Sequence, residues 1–223
     1  MSTRSSPPTR CGATSGRSSS TPTWGWGCWG HILERVTGRG YEDLVRERIL
    51  RPLGMGMTAI TPNAEMAAWM THGHNARGGV TPPWDVALGG MGGLRSNARD
   101  MLTFLAANTG PAASDLERAM RDTHQPRRAI NARADVGLNW YVRKDGDRRI
   151  VYHTGATGGF RTMVAFDPEL AVGVVLLSNA AQLTDLNLVF DLIHPPAPEV
   201  QVAPEVLRAY VGSTSSRLPF PGW

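Results

Sequence analysis

Two side chains that often carry chemistry are scarce in this chain of 223 residues, which has two cysteines, Cys11 and Cys28, and one lysine, Lys144. Neither cysteine lies in a CxxC or Cys/His cluster, so the pair supports neither a zinc site nor a disulfide framework. His72 and His74 form a short His-Gly-His with no further ligands at helical or hairpin spacing, and they read as two loop histidines. No metal or other cofactor is expected. No run approaches the eighteen or so uninterrupted apolar residues of a membrane span, and no apolar segment follows a basic start as in a signal peptide. The chain as written therefore reads as soluble, unexported and cytoplasmic.

Acidic residues are missing from both ends. Residues 1–30 carry Arg4, Arg10 and Arg17 without one Asp or Glu, and residues 213–223 carry Arg217 alone. Setting those four aside brings the 23 basic residues level with the 19 acidic ones. The excess that raises the pI to about 9.6 is thus confined to the ends. A neutral body with no basic stripe argues against a nucleic-acid partner.

From Met1 to Thr23 the composition is Ser, Thr, Arg, Pro and Gly without apolar period, as in a disordered arm. Residues 24–30 match GxGxxG at Gly25, Gly27 and Gly30. No strand precedes them, and tryptophans fill the gaps where a pyrophosphate must approach the backbone, so no dinucleotide site is read. Beyond Gly30 a helix runs through Ile32, Leu33 and Val36 to Gly38. A second places Tyr41, Leu44, Val45 and Ile49 at helical spacing, pairs Glu42 with Arg46, and ends before Pro52. Residues 54–95 read as a long ordered loop. Asn97 with Asp100 starts a helix with Met101, Leu102, Phe104 and Leu105 on one broad face, closed at Gly110, and a short helix follows from Ser114 to Met120.

From Val136 the apolar period becomes two. Strands are expected at 136–143 and 148–153 around an Asp145-Gly146 turn, then at 160–166 and, after Asp167-Pro168, at 171–177, the last buried on both faces. A helix from 183 to 193 stops at Pro195-Pro196, and 204–212 reads as one more helical turn. Four strands in meander order with helices on either side in sequence imply an α+β fold, an antiparallel sheet covered by helices.

Three separated stretches together resemble the serine β-lactamase and penicillin-binding family, of the class C β-lactamase and D-alanyl-D-alanine carboxypeptidase type. They are Gly30–Gly38 with Tyr41 and Ile49–Met55, then Gly92–Met101, then His153–Phe160 with Phe166-Asp167-Pro168 and Leu177-Ser178-Asn179. They fall in the family's order over about residues 30–212. The resemblance implies a β-lactamase/transpeptidase-like fold, incomplete here, with residues 31–212 as its C-terminal portion. It also implies an acyl-enzyme mechanism on β-lactams, D-alanyl peptides or related esters, with a small-molecule or peptidoglycan-type substrate, in a family that is usually extracytoplasmic or periplasmic. His153-Thr154-Gly155 matches the family's third motif. By that match His153 supplies positive charge or a proton donor, Thr154 binds the substrate carboxylate, Gly155 lets substrate approach an edge strand, and the Ala156 N–H is one oxyanion donor.

The nucleophile of that family is a Ser in Ser-x-x-Lys, and here the residue three before the only lysine is Tyr141. No Tyr-x-Asn precedes the first helix either. A one-base shift of reading frame accounts for both ends. A family-like Tyr-Ser-Asn-Leu-Gly-Val-Gly-Leu-Leu-Gly, read one base late, gives Thr21–Gly30, and Glu-Tyr-Gln-Leu-Ala-Pro gives Ser213–Leu218. Residues 1–30 and 213–223 are on this reading frame-shifted translation; an Arg/Ser-rich transit peptide or a native disordered arm is the alternative for residues 1–23. The expected function is a serine hydrolase whose nucleophile motif this chain lacks. The alternatives are a non-catalytic scaffold that binds penicillin-like ligands and a nonfunctional translated fragment.

Overall fold

The computed structural model of the chain describes residues 23–84, 89–182 and 187–195, with side chains from Trp29 onward. Most of the two end segments, the turn expected at 204–212 and the start of the helix expected from 183 lie outside these residues. The first helix, α1 (Thr23–Thr37), ends where Gly38 turns to a φ of 67° and donates its N–H to Glu34 O. A left-handed residue is a common helix stop, and glycine takes it without a Cβ clash. Glu34 also accepts from Tyr41 N at 2.9 Å, which joins α1 to α2 (Tyr41–Val45). The apolar residues that mark α1 in sequence, Ile32, Leu33 and Val36, stand exposed. Gly30 is buried against the Tyr41 ring.

The helix expected to end before Pro52 continues through it. A π-helical turn, Arg46–Leu50, carries the Arg51 N–H to Arg46 O, and α3 (Arg51–Leu53) then has Pro52 in its first turn, where a helix needs no N–H. Val45, Leu50 and Met55 form a small core with Tyr41, Leu53 and Phe104 around this bend. The expected loop at 54–95 contains a helix, α4 (Ala64–Trp69), capped by Asn63, whose side chain accepts from Met66 N at 2.8 Å. Asn97 caps α5 (Ala98–Thr109) through Asp100 N, as its sequence indicates, but Leu102 faces outward and only Leu105 of its large apolar residues is fully buried. Ser114 and Glu117 form a reciprocal capping box on α6 (Asp115–Thr123), which runs three residues past Met120.

Six antiparallel strands follow in meander order: β1 (Arg128–Asn131), β2 (Ala134–Val136), β3 (Tyr141–Asp145), β4 (Arg148–Thr157), β5 (Phe160–Asp167) and β6 (Val172–Ser178). The single strand expected at 136–143 is broken by a turn in which Gly137 N donates to Trp140 O and Asn139 takes a φ of 66°. The hairpin at Asp145-Gly146 is a two-residue turn, with Asp145 opposite Arg148 and Gly146 at a φ of 62°. β6 is not buried on both faces: Val172 and Leu177 remain 42% and 43% exposed. Among the described residues no strand pairs with its outer edge, so that side lacks the cover a central strand receives.

The final helix, α7 (Asn187–Ile193), and α5 sit on opposite faces of the sheet. Leu105 of α5 packs with Val142, Val151 and Phe166, while Val189 and Ile193 of α7 pack with Ile150, Met163 and Ala165. The parity of Ile150 and Val151 sends neighbours to the two cores, each such side chain contributing about 1.5–3 kcal/mol by leaving water. Two histidines fasten the layers. His124, 3% exposed at the end of α6, donates from Nε2 to Asn108 Oδ1 at 2.6 Å, because the Asn108 amide nitrogen is itself donating to Phe104 O. Its ring meets Trp140 and Phe166 edge to face, and burial holds its pKa down at about 4, helped by the charges of Arg149 and Arg121. His194, just after α7, bridges Asp145 at 2.8 Å and Asp167 at 2.7 Å.

Candidate active site

β4 outruns its neighbour on one side. β3 begins at Tyr141 opposite Tyr152, whereas β5 pairs with β4 from Val151 through Thr157. Among the described residues, His153 to Thr157 therefore have a strand on the β5 side only. In an antiparallel pair alternate residues turn their N–H and C=O groups away from the partner, so this segment offers backbone donors and acceptors along an open edge. All four residues singled out in sequence, His153, Thr154, Gly155 and Ala156, lie on it.

Their side chains divide by parity. His153 and Gly155 share the face of Val151 and α5, while Thr154 and Ala156 share that of Ile150 and α7. The room at Gly155 is already taken on its own face, since a Cβ there would lie 2.6 Å from Thr162 Oγ1 across the β4–β5 pair. His153 lies nearly parallel to the Tyr141 ring, 25° between planes and 6.1 Å between centroids. Burial lowers its pKa, partly offset by a hydrogen bond with the Thr154 backbone. That shift biases the ring toward its uncharged form.

The turn after this edge is held by segments remote in sequence. Gly158 and Gly159 both have positive φ, and the Thr81 hydroxyl lies within hydrogen-bond distance of Gly158 O and Gly73 O. Gly73 could carry no side chain, because its Cβ would lie 1.9 Å from Gly158 O. His74 N donates to Asn179 O at 2.8 Å, its Nδ1 is 3.0 Å from the same oxygen, and Asn179 Nδ2 returns a bond to His72 O. The His72-Gly73-His74 stretch is thus a strap tying the β4–β5 turn to the end of β6. Nothing in the apolar period reveals it; Gly73 between two polar residues was the available sign.

The Gly92–Met101 stretch holds this region rather than doing chemistry. Arg95 donates to Ile60 O at 2.5 Å and Trp84 O at 3.1 Å, and the buried Asp100 accepts from Met57 N and the Thr58 hydroxyl. From α2, Glu42 accepts from Ile60 N, Thr61 N and the Thr61 hydroxyl. Gly92 comes against Thr157, and Trp84 against Gly158, so the second and third stretches meet at the end of β4.

The family described as Beta-lactamase matches residues 13–194. The chain belongs to the beta-lactamase family. Among curated relatives it is 27% identical over 183 residues to the D-alanyl-D-alanine-carboxypeptidase/endopeptidase AmpH of Escherichia coli K12, covering 75% of this chain and 47% of that protein. It is 25% identical over 221 residues to a Beta-lactamase of Pseudomonas fluorescens, covering 82% of this chain and 57% of the relative. The chain thus spans about half the length of the relatives it matches. Among solved structures, a class C beta-lactamase superposes with a TM-score of 0.70 at 20% identity, over 78% of this chain and 56% of the other. The Beta-Lactamase/D-Alanine Carboxypeptidase from Pseudomonas syringae does so with a TM-score of 0.66 at 21% identity, over 71% and 54%. The fold is that of the β-lactamase/transpeptidase proteins, of which this chain carries a part.

Within this beta-lactamase fold the described serines are Ser96, Ser114 and Ser178. They bond respectively to Thr58 with Asn97, to Glu117 N, and to Ala180. No described serine is paired with a lysine or histidine. A concavity of about 730 Å³ lies at the other end of β4, lined by Arg133, Arg143, Lys144, Asp145 and Gly146. It is a saddle beside the hairpin and contains none of the family-motif residues. Among the described residues no helix is long and apolar enough to cross a membrane.

Proposed function

We propose that this chain is the substrate-edge portion of a serine hydrolase acting on β-lactams, D-alanyl peptides or related esters, and that as written it lacks the nucleophile. The observation that carries the reading is the open edge of β4, with His153, Thr154, Gly155 and Ala156 along it, in a chain of the beta-lactamase family. In the acyl-enzyme chemistry of that family a carbonyl compound lies along such an edge. Backbone N–H groups, that of Ala156 among them, stabilise the charge that develops on its oxygen. Thr154 meets a carboxylate, and a neutral His153 donates or accepts a hydrogen bond. The AmpH and Beta-lactamase relatives support the substrate range by their names.

Acylation needs an activated hydroxyl beside a base, and the sequence has no Ser-x-x-Lys. We take residues 1–30 and 213–223 as frame-shifted flanks of the body at 31–212, a reading set against the family match that reaches back to residue 13 and the helix that begins at Thr23. The missing pair also favours a second reading, a non-catalytic scaffold that binds such ligands reversibly. Incubation with a fluorescent penicillin, followed by denaturing gel and intact mass, tests the loss of the nucleophile. No covalent adduct is expected. A stoichiometric adduct mapped to any serine of the chain overturns it.

A further inference from the structure

Aromatic rings cluster around the start of the open edge, with Tyr141 between Tyr152 on the α7 side of the sheet and His153 on the α5 side. Phe190 of α7 meets Tyr152 edge to face at 5.1 Å, Tyr152 stacks on Tyr141 at 5.4 Å, and Tyr141 lies alongside His153 at 6.1 Å. The far end of the cluster is anchored, because Phe190 packs against the core of Ile150, Met163, Val189 and Ile193 and also carries the Arg143 guanidinium over its face. Tyr141 is the first residue of β3 and thus the last rung before strand pairing on that side of β4 ceases. Beyond it, no strand backbone among the described residues supports His153 on the β3 side.

We propose that Tyr141 is a positioning residue, its ring lying where β3 stops and fixing the orientation of the His153 imidazole at the open edge. The proposal rests on the reading of His153 as a substrate-facing group, but its test does not need substrate. A flat ring held nearly parallel to an imidazole excludes water from one face, leaves the ring nitrogens at the rim, and restricts rotation about the side chain. Other described groups also bear on His153. Its partner across β5 is Val164, its adjacent titratable groups are Tyr141 and Tyr152, and burial with the Thr154 backbone accounts for its displaced protonation. The Tyr141 ring lies alongside this imidazole on the side where pairing ends.

The test is an NMR titration of the histidine ring protons in the full chain, with His153 assigned through His153→Gln. Tyr141→Ala should raise the His153 pKa toward its ordinary 6.5 and remove the ring-current displacement of its carbon-bound protons, while Tyr141→Phe should preserve both. His124 remains neutral down to about pH 4 in a folded chain and so reports folding in each variant. Should Tyr141→Ala fail to fold, Tyr141→Leu keeps bulk without an aromatic face and is read the same way. An unchanged His153 titration in the folded Ala or Leu variant overturns the proposal, as does a shift in Tyr141→Phe equal to that in Tyr141→Ala. A retained Tyr141 effect with no β-lactam response at His153 would sink the substrate reading and leave the positioning role standing.

Discussion

Lowering the pH should unfold this protein through His124 before it does so through its carboxylates. Holding that ring's pKa from the ordinary 6.5 down to about 4 corresponds to roughly 3 kcal/mol of preference for the neutral form. Between those values the unfolded chain binds a proton that the folded chain refuses. The stability is therefore complete above about pH 6.5 and declines progressively as pH falls toward 4. The carboxylates with depressed pKa, Glu42, Glu47 and Asp167, contribute differently, because they hold their stabilisation above their unfolded values near 4 and release it only below. The window from 6.5 to 4.5 thus belongs mainly to histidine, and the wild type should lose about 2 kcal/mol across it. Urea denaturation at half-unit pH steps measures this. His153, also depressed, adds in the same direction, so the decisive comparison is with His124→Gln, which keeps a donor for Asn108 but cannot titrate. The variant starts less stable, having lost the ring contacts with Trp140 and Phe166, yet its stability should vary much less over the window. A variant that keeps the full wild-type pH slope would show that His124 is not the group refusing the proton.

Two further substitutions probe the layers and the edge. His194→Gln should cost about 2 kcal/mol in urea denaturation, because Asp167, 1% exposed, loses the ring nitrogen it hydrogen-bonds, whereas Asp145→Asn should cost less since that carboxylate is 47% exposed; equal losses would contradict the assignment. Gly155→Ala should lower stability by about 1–3 kcal/mol through its clash with Thr162 Oγ1, and Thr162→Ala in the same chain should restore most of it. Additive losses in that double-mutant cycle would show that the two side chains do not compete for space.

Elements announced by local chemistry were legible in the sequence. Asn97 and Ser114 both cap helices through a residue three ahead, and Asp145-Gly146 turns a two-residue hairpin, because each depends on contacts within four residues. Elements that depend on distant neighbours were not. The four residues of β1 are all exposed, so they show no alternation of burial to read, and α4 is too short for a period, leaving only its Asn63 cap as a sign. Pro52 misled because a π-turn removed the need for its N–H. At the site, the motif residues could be named from the chain, but not that β3 stops at Tyr141, that Tyr141 faces His153, or that Thr162 fills the room beside Gly155. Each of those facts is a matter of strand register, which becomes visible only when the pairs are known.

The central claim, that substrate lies along the open edge of β4 although the nucleophile is missing, is tested most directly by following backbone amide resonances while benzylpenicillin is added. The account predicts saturable, fully reversible shifts concentrated at His153, Thr154, Gly155 and Ala156, with the hairpin concavity around Gly146 unaffected. Shifts centred on Arg143 to Gly146, or none at any attainable concentration, would contradict it.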